Sequence, residues 1–225
     1  MTFERKYVIM KLNDAKYLES ISSPVVFIST GNSKLGKFIG AINLPAGKTC
    51  NPDAPCRKYC YALKGHYVFA SAKSVRERNL NIYRTNPKSF FNQISCNTAF
   101  FRMVRWHDSG DIVDRAYLEG MCKVARDNPD VKYLAFTKQF QIVNNYLATG
   151  EIIPDNLKIV FSTWGNWIPE NPFHLPMTFV RFKVKAMEDQ NQKIPEDSFE
   201  CLGNCATCCK CWNLGKGESV VFNQH

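Results

Sequence analysis

Short apolar runs rich in β-branched and aromatic residues alternate along this chain with longer segments whose apolar positions recur every three or four residues. The runs PVVFIST (24–30), KFIGAINLP (37–45), FFRMVRWH (100–107), VKYLAFTK (131–138), LKIVFSTW (157–164) and MTFVRFKV (177–184) are predicted strands. Gly40 and Pro45 limit the regularity of the second. Helical spacing covers ASAKSVRERNLNIYR (70–84), which stops before Pro87, and PKSFFNQISCNTAF (87–100), with Pro87 in its first turn. It returns in RAYLEGMCKVARD (115–127), with Asp114 as its cap and Asn128-Pro129 at its end. A fourth helix, FQIVNNYLAT (140–149), closes at Gly150.

Strands separated by helices of this length imply parallel βαβ units with right-handed crossovers. The stretch from Phe100 to Trp164 is the clearest such run. Five residues between Trp164 and Met177 are Pro or Asn, which marks a loop. The expected fold is α/β: a partial (β/α) barrel of parallel strands with a cysteine-rich, metal-binding C-terminal tail. Residues 1–184 would form the barrel and 185–225 a four-cysteine extension packed on it. In such folds ligands sit at the carboxyl ends of the strands. Four polar segments fall there: the 50–60 loop, His107 to Asp111, Thr137-Lys138-Gln139, and Ser162-Thr163-Trp164.

Composition adds constraints. At 225 residues the chain can bury one substantial core, and it shows no repeat or low-complexity tract. No apolar run reaches membrane-spanning length, and MTFERKYVIMKLNDAK lacks a secretory pattern, so an intracellular, cytoplasmic protein without a membrane partner is expected. The net charge of +9 favours polyanions, which makes nucleic acid or a phosphorylated ligand the expected partner. KSVRER (73–78) concentrates three of the bases. A basic surface without a partner is the plainer alternative, and nothing in the pattern sets an oligomeric state.

Ten cysteines in a reducing compartment argue for metal rather than disulfides. Cys50, Cys56 and Cys60 lie on one short Pro-containing loop. Three thiolates leave one coordination position free, as in a [4Fe-4S] cluster with one open iron. Zinc with a fourth ligand such as His66 fits the same spacing. Cys201, Cys205, Cys208 and Cys211 form a second group of four soft ligands, suited to a closed zinc site or a fully ligated cluster. Cys209 competes with its neighbours for the fourth place. Cys96 and Cys122 lie on predicted helices and read as packing residues.

The strand end Arg105-Trp106-His107-Asp108-Ser109-Gly110-Asp111 brings a histidine and two carboxylates to the ligand face. His107, Asp108 and Asp111 suit acid–base chemistry, and Ser109, Gly110 and Asp111 suit a cofactor's amino or hydroxyl groups. The competing reading is structural, with Ser109 and Asp111 capping the next helix and His107 satisfied in the wall. Lys138 ends the next strand and would meet an anionic ligand or remain solvated. Trp164 and Trp167 would line the pocket or simply join the core.

The run NLPAGKTC…PC…CYALKGH, VRERN, RWHDSGD, AFTK, PDNLKIVFS and C…C..C..CW resembles the phage gene-product-88 family across about residues 31–212. Most of that family comes from bacteriophages and mobile elements, which would place the protein in the host cell cytoplasm. The order of features is more distantly similar to radical S-adenosylmethionine enzymes. Those carry a three-cysteine loop after the first barrel strand, usually C-x3-C-x2-C, where this chain has C-x5-C-x3-C. The likeness implies that Cys50, Cys56 and Cys60 hold a cluster, that Ser109, Gly110 and Asp111 lie near S-adenosylmethionine, and that the C-terminal cysteines hold a second cluster. The expected activity is radical chemistry on a nucleic acid or nucleotide-derived substrate. Two alternatives stand beside it: a (β/α)-barrel base transglycosylase with Asp108 or Asp111 as nucleophile and structural zinc, and a non-enzymatic zinc module that binds nucleic acid.

Overall fold

The computed structural model describes residues 24–182 and 194–223. Its strands are β1 (Ile28–Asn32), β2 (Gly36–Ile42), β3 (Met103–Trp106), β4 (Lys132–Thr137), β5 (Leu157–Ser162), β6 (Met177–Arg181), β7 (Phe199–Glu200) and β8 (Ser219–Asn223). Its helices are α1 (Ala70–Thr85), α2 (Pro87–Thr98), α3 (Arg115–Asp127), α4 (Phe140–Ala148) and the single turn α5 (Cys205–Cys208). The strands form one mostly parallel sheet of eight, in the order β1-β2-β3-β4-β5-β6-β8-β7. Only β1 runs antiparallel, as a hairpin partner of β2.

Strand alternation explains both faces. Ile42, Trp106, Ala135 and Ile159 stand in register across β2 to β5, and Val104, Tyr133 and Leu157 form the row beneath them. These side chains are buried against the apolar stripes of α1 to α4, including Phe90, Phe91, Tyr117, Leu118 and Tyr146. The sequential parallel strands with right-handed crossovers put the helices together on this face. On the opposite face Ile39, Ala41, Leu134 and Val160 pack against Trp212, Leu214 and Val220. The C-terminal segment therefore does what a second helical layer does in doubly wound proteins.

Helix ends follow their capping chemistry. Asp114 accepts from the Tyr117 N–H and Asn86 from the Ser89 N–H, while Pro87 occupies the first turn of α2. Two expectations shift. The strand read at 24–30 begins only at Ile28, where pairing with Ile42 starts. The extension read from residue 185 is built into the sheet, because β8 pairs with β6 and β7 with β8. The end of the strand read at 177–184 lies outside the described residues. Among those residues, no helix is long and apolar enough to cross a membrane.

Candidate functional site

After β2 the chain crosses the carboxyl ends of the neighbouring strands and coils through three short 3-10 turns, Pro55–Tyr59, Tyr61–Leu63 and Gly65–Val68. Cys50, Cys56 and Cys60 lie in this stretch, half-buried. Each lies within electrostatic reach of the other two. Burial raises the thiol of Cys56 and pushes that of Cys50 up to about 11. Gly47, at φ +80°, aims its N–H at the Cys50 sulfur 3.4 Å away.

The loop is laced to the strand ends by side chains. Thr49 Oγ1 accepts from the Asp111 N–H at 3.0 Å, and Gln139 Nε2 donates to the Thr49 carbonyl at 3.0 Å. Asn51 Nδ2 donates to the Lys138 carbonyl at 3.0 Å. Asn43 Oδ1 accepts from the N–H groups of Asp108 and Ser109. Ser109 Oγ donates to the Leu44 carbonyl at 2.9 Å. Gly110, at φ +84°, presses so closely on Leu44 and Thr49 that a Cβ would sit 2.7 Å from each. Ser109 and Gly110 thus hold the cysteine loop in place.

The residues of this strand end divide by face. His107 has φ +62°, and that left-handed kink brings two consecutive rings, Trp106 and His107, onto Tyr117. His107 Nε2 lies 3.0 Å from the Tyr117 hydroxyl, and burial drives its pKa down to about 3, so the ring is neutral. Asp111 is buried too. Its Oδ1 accepts from Thr137 Oγ1 (2.6 Å) and the Ile112 N–H, and its Oδ2 from the Lys138 N–H (2.8 Å). Burial nonetheless raises it to about 6.

Asp108 lies within reach of Arg105, Arg76 and Tyr67. Its Oδ2 accepts from Asn32 Nδ2 at 3.1 Å, and the Tyr67 hydroxyl also donates to the carboxylate. Arg105 lies in the same region with its guanidinium 4.3 Å from the Phe136 ring and a buried, unpartnered Nε. Its charge reaches Asp108, Tyr61, Cys205 and Cys211. Lys138 donates to Ser162 Oγ at 2.6 Å, and its ammonium faces Cys56, Asp111, Cys50 and Cys60. Burial lowers its pKa. Trp164 stacks on Tyr59 of the cysteine loop, with ring centroids 6.1 Å apart, whereas Trp167 packs on Phe140 in the core.

The second cysteine group borders the tail-covered face. Cys201, Cys205, Cys208, Cys209 and Cys211 line a small, partly open hollow against Trp212. Gly203, at φ +77°, donates its N–H to the Cys201 sulfur at 3.4 Å, repeating the Gly47–Cys50 arrangement. Cys209 differs from its neighbours. It takes the left-handed position after α5 and turns its thiol back toward the carbonyls of Cys205 and Ala206. Burial pushes the Cys211 thiol up to about 12. Cys122 is fully buried in α3, Cys96 is exposed on α2, and His66 is exposed against Phe69. Among the described residues, no group of three His, Cys, Asp or Glu side chains is placed to hold a metal ion.

Sequence reasoning placed Arg105 in the strand-end run without giving it a role, and it did not single out Asn43 or Thr49. Their types are common, and only the pairing of β2 with β3 brings them to the site.

Fold and site together define an α/β protein with a mostly parallel sheet and a group of cysteines on each of two segments bordering it. The chain belongs to the Gene product 88 family, whose model matches residues 26–217. It is similar to the Gene 88 protein of Mycobacterium phage L5, with 30% identity over 169 residues covering 68% of this chain and 67% of that one. It is also similar to the Gene 88 protein of Mycobacterium phage D29, with 26% identity over an alignment of 245 residues covering 96% and 97% of the two chains. No solved structure matches.

Proposed function

We propose that the protein is an iron–sulfur enzyme of radical S-adenosylmethionine type that acts on a nucleic acid or nucleotide-derived substrate in the host cytoplasm. In this reading the sheet is a partial (β/α) barrel whose inner face is covered by the tail. The observation that carries the proposal is that Cys50, Cys56 and Cys60 share one loop at the carboxyl edge of the parallel strands, each within electrostatic reach of the others and of the half-buried Lys138 ammonium.

Several features support a cluster. The donors are soft thiols, and a backbone N–H points at one sulfur in each group, the kind of contact that tunes iron–sulfur centres. Cys201, Cys205, Cys208 and Cys211 would close one cluster, with zinc the alternative there, and Cys50, Cys56 and Cys60 would leave an open iron at the other. A cluster of the open kind supplies an electron to a chelated S-adenosylmethionine.

The remaining work falls to side chains. Lys138 neutralises an anionic group beside the thiols, and Asp108 adds a carboxylate at the same edge. Ser109, Gly110 and Asp111 fix the loop that carries the cysteines. The transglycosylase alternative is weaker at Asp111, because both oxygens of that carboxylate already accept protein hydrogen bonds.

Metal analysis of protein purified without oxygen tests the proposal. Wild type should carry iron and acid-labile sulfide, about four of each per occupied site. Cys56→Ala should lose the share belonging to the open site and keep the rest. Stoichiometric zinc without iron would overturn it.

A further inference from the structure

The cysteine loop has an outer surface that the proposed chemistry does not use. Between Asp53 and Glu77 the chain has no acidic residue and five Lys or Arg: Arg57, Lys58, Lys64, Lys73 and Arg76. Arg57, Lys58, Lys64 and Lys73 make no ion pair among the described residues, whereas Lys48 is paired with Glu77. The same stretch exposes large apolar side chains: Tyr59 (44%), Tyr61 (50%), Leu63 (47%) and Phe69 (57%). Most large apolar residues of the chain are buried, so this density within eleven positions is unusual.

The aromatic rings are braced. Tyr59 stacks on Trp164 with planes 16° apart, Tyr61 meets Tyr67 edge-on at 5.4 Å, and Phe69 meets His66 edge-on at 5.1 Å. Tyr61 is also tied by its hydroxyl to the Asp108 carbonyl at 2.6 Å, and Arg76 lies over the Tyr67 ring while donating to the Tyr67 carbonyl. Partly exposed rings held at fixed angles lose little freedom when a flat partner covers them. Bare cations beside them match a regularly spaced anion.

We infer that the 57–73 surface binds single-stranded nucleic acid, with Arg57, Lys58, Lys64 and Lys73 on the backbone phosphates and Tyr59 and Phe69 stacking on unpaired bases. Bases within a duplex have both faces covered by their neighbours, so exposed rings favour the single strand. The strand would pass beside Cys56 and Cys60, which lie within the same stretch of turns. This inference deepens the substrate part of the proposed function and rests on it there, but it does not require the cluster.

Fluorescence anisotropy with labelled oligothymidylate and with a duplex of equal length tests it, using the full chain over a salt series. Wild type should bind the single strand at least tenfold more tightly than the duplex. The logarithmic salt slope should correspond to about 0.7 per phosphate neutralised. Lys58→Glu/Lys64→Glu should weaken binding tenfold or more and flatten the slope. Phe69→Ala should weaken it severalfold and leave the slope unchanged. Lys88→Glu/Lys123→Glu, an equal charge change on α2 and α3, should stay within about threefold of wild type if the surface is local.

Equal affinity for duplex and single strand, no binding at low salt, or equal weakening by both charge-reversal pairs would overturn the inference. Iron content measured on the same samples separates the two ideas. Wild type that carries iron but does not bind the single strand counts against the surface alone, and wild type that binds without iron counts against the cluster alone.

Discussion

Gly47 and Gly203 each take a left-handed backbone and direct an N–H at a cysteine sulfur. An L side chain at such a φ costs about 1–2 kcal/mol even where space is free. A Cβ at Gly203 or at Gly217, both at φ +77°, would meet nothing within 4 Å, so strain alone acts at either position. Gly203→Ala and Gly217→Ala should therefore lose about the same stability in chemical denaturation. If the tail cysteines hold metal as proposed, Gly203→Ala should also release it faster to a chelator than Gly217→Ala, because the Gly203 N–H donates to the Cys201 sulfur. Equal chelator resistance in both variants would show that the N–H contact to Cys201 has no bearing on metal.

His107 carries a second consequence at this scale. Its folded pKa, about 3, lies below the ordinary value of 6.5, so its contribution to stability is present above pH 6.5 and lost as pH falls toward 3. Asp111 acts in the opposite sense. Its carboxyl is raised from 3.8 to about 6, so its contribution is present below 3.8 and lost as pH rises through 6. Asp108 is raised by burial as well and acts in the same sense as Asp111, so the part that belongs to His107 is read from the difference in urea midpoint between wild type and a variant on acidification from pH 7 to 5. Asn accepts a left-handed backbone, so His107→Asn should fold and lose less over the same interval. An unchanged pH dependence would mean that His107 is solvated in the folded protein.

At the scale of elements, the tail functions as a layer. Trp212 is buried on the sheet face opposite the helices, and its indole N–H donates to the Val104 carbonyl at 3.3 Å. Trp212→Ala should cost about 3–5 kcal/mol and make the tail susceptible to protease, with Trp212→Phe recovering most of the loss. A cost below about 1 kcal/mol in denaturation would contradict the layered reading. The sequence pattern revealed the elements unevenly. Helix α3 was legible to the residue, since Asp114 starts it and Asn128-Pro129 stops it. The strands β4 to β6 were legible because their apolar runs are buried on both faces, and β3 because buried Val104 and Trp106 alternate with half-buried Met103 and Arg105. Strand β8, SVVFN, was not, because five residues beyond a cysteine cluster give too short a period to separate strand from loop. The antiparallel start was missed as well: PVVFIST reads as strand from Pro24, but only the ladder to β2 sets where pairing begins.

At the scale of the molecule, one face of the sheet belongs to the helices and the other to the tail, with the 50–60 loop across the carboxyl edge. The two cysteine groups are far apart in sequence, and Arg105 lies within electrostatic reach of Cys205 and Cys211 on one side and of Asp108 and Tyr61 on the other. Within each group, the closeness of the cysteines along the chain was legible from spacing. Their surroundings were not, since Arg105, Asn43 and Thr49 matter only through strand register and loop crossing. The His107–Asp111 strand end was recognisable as a polar turn, yet its division into a wall residue, loop-holding residues and a carboxylate bonded to Asn32 depends on the kink at His107.

The central claim is that Cys50, Cys56 and Cys60 hold a cluster with one iron open to S-adenosylmethionine. Electron paramagnetic resonance of the dithionite-reduced, cluster-replete protein, recorded with and without that compound, tests it most directly. The account predicts a changed spectrum in wild type, accompanied by slow release of 5′-deoxyadenosine, and no change in Cys56→Ala. Identical spectra at saturating S-adenosylmethionine, with iron and sulfide at full occupancy, would contradict it.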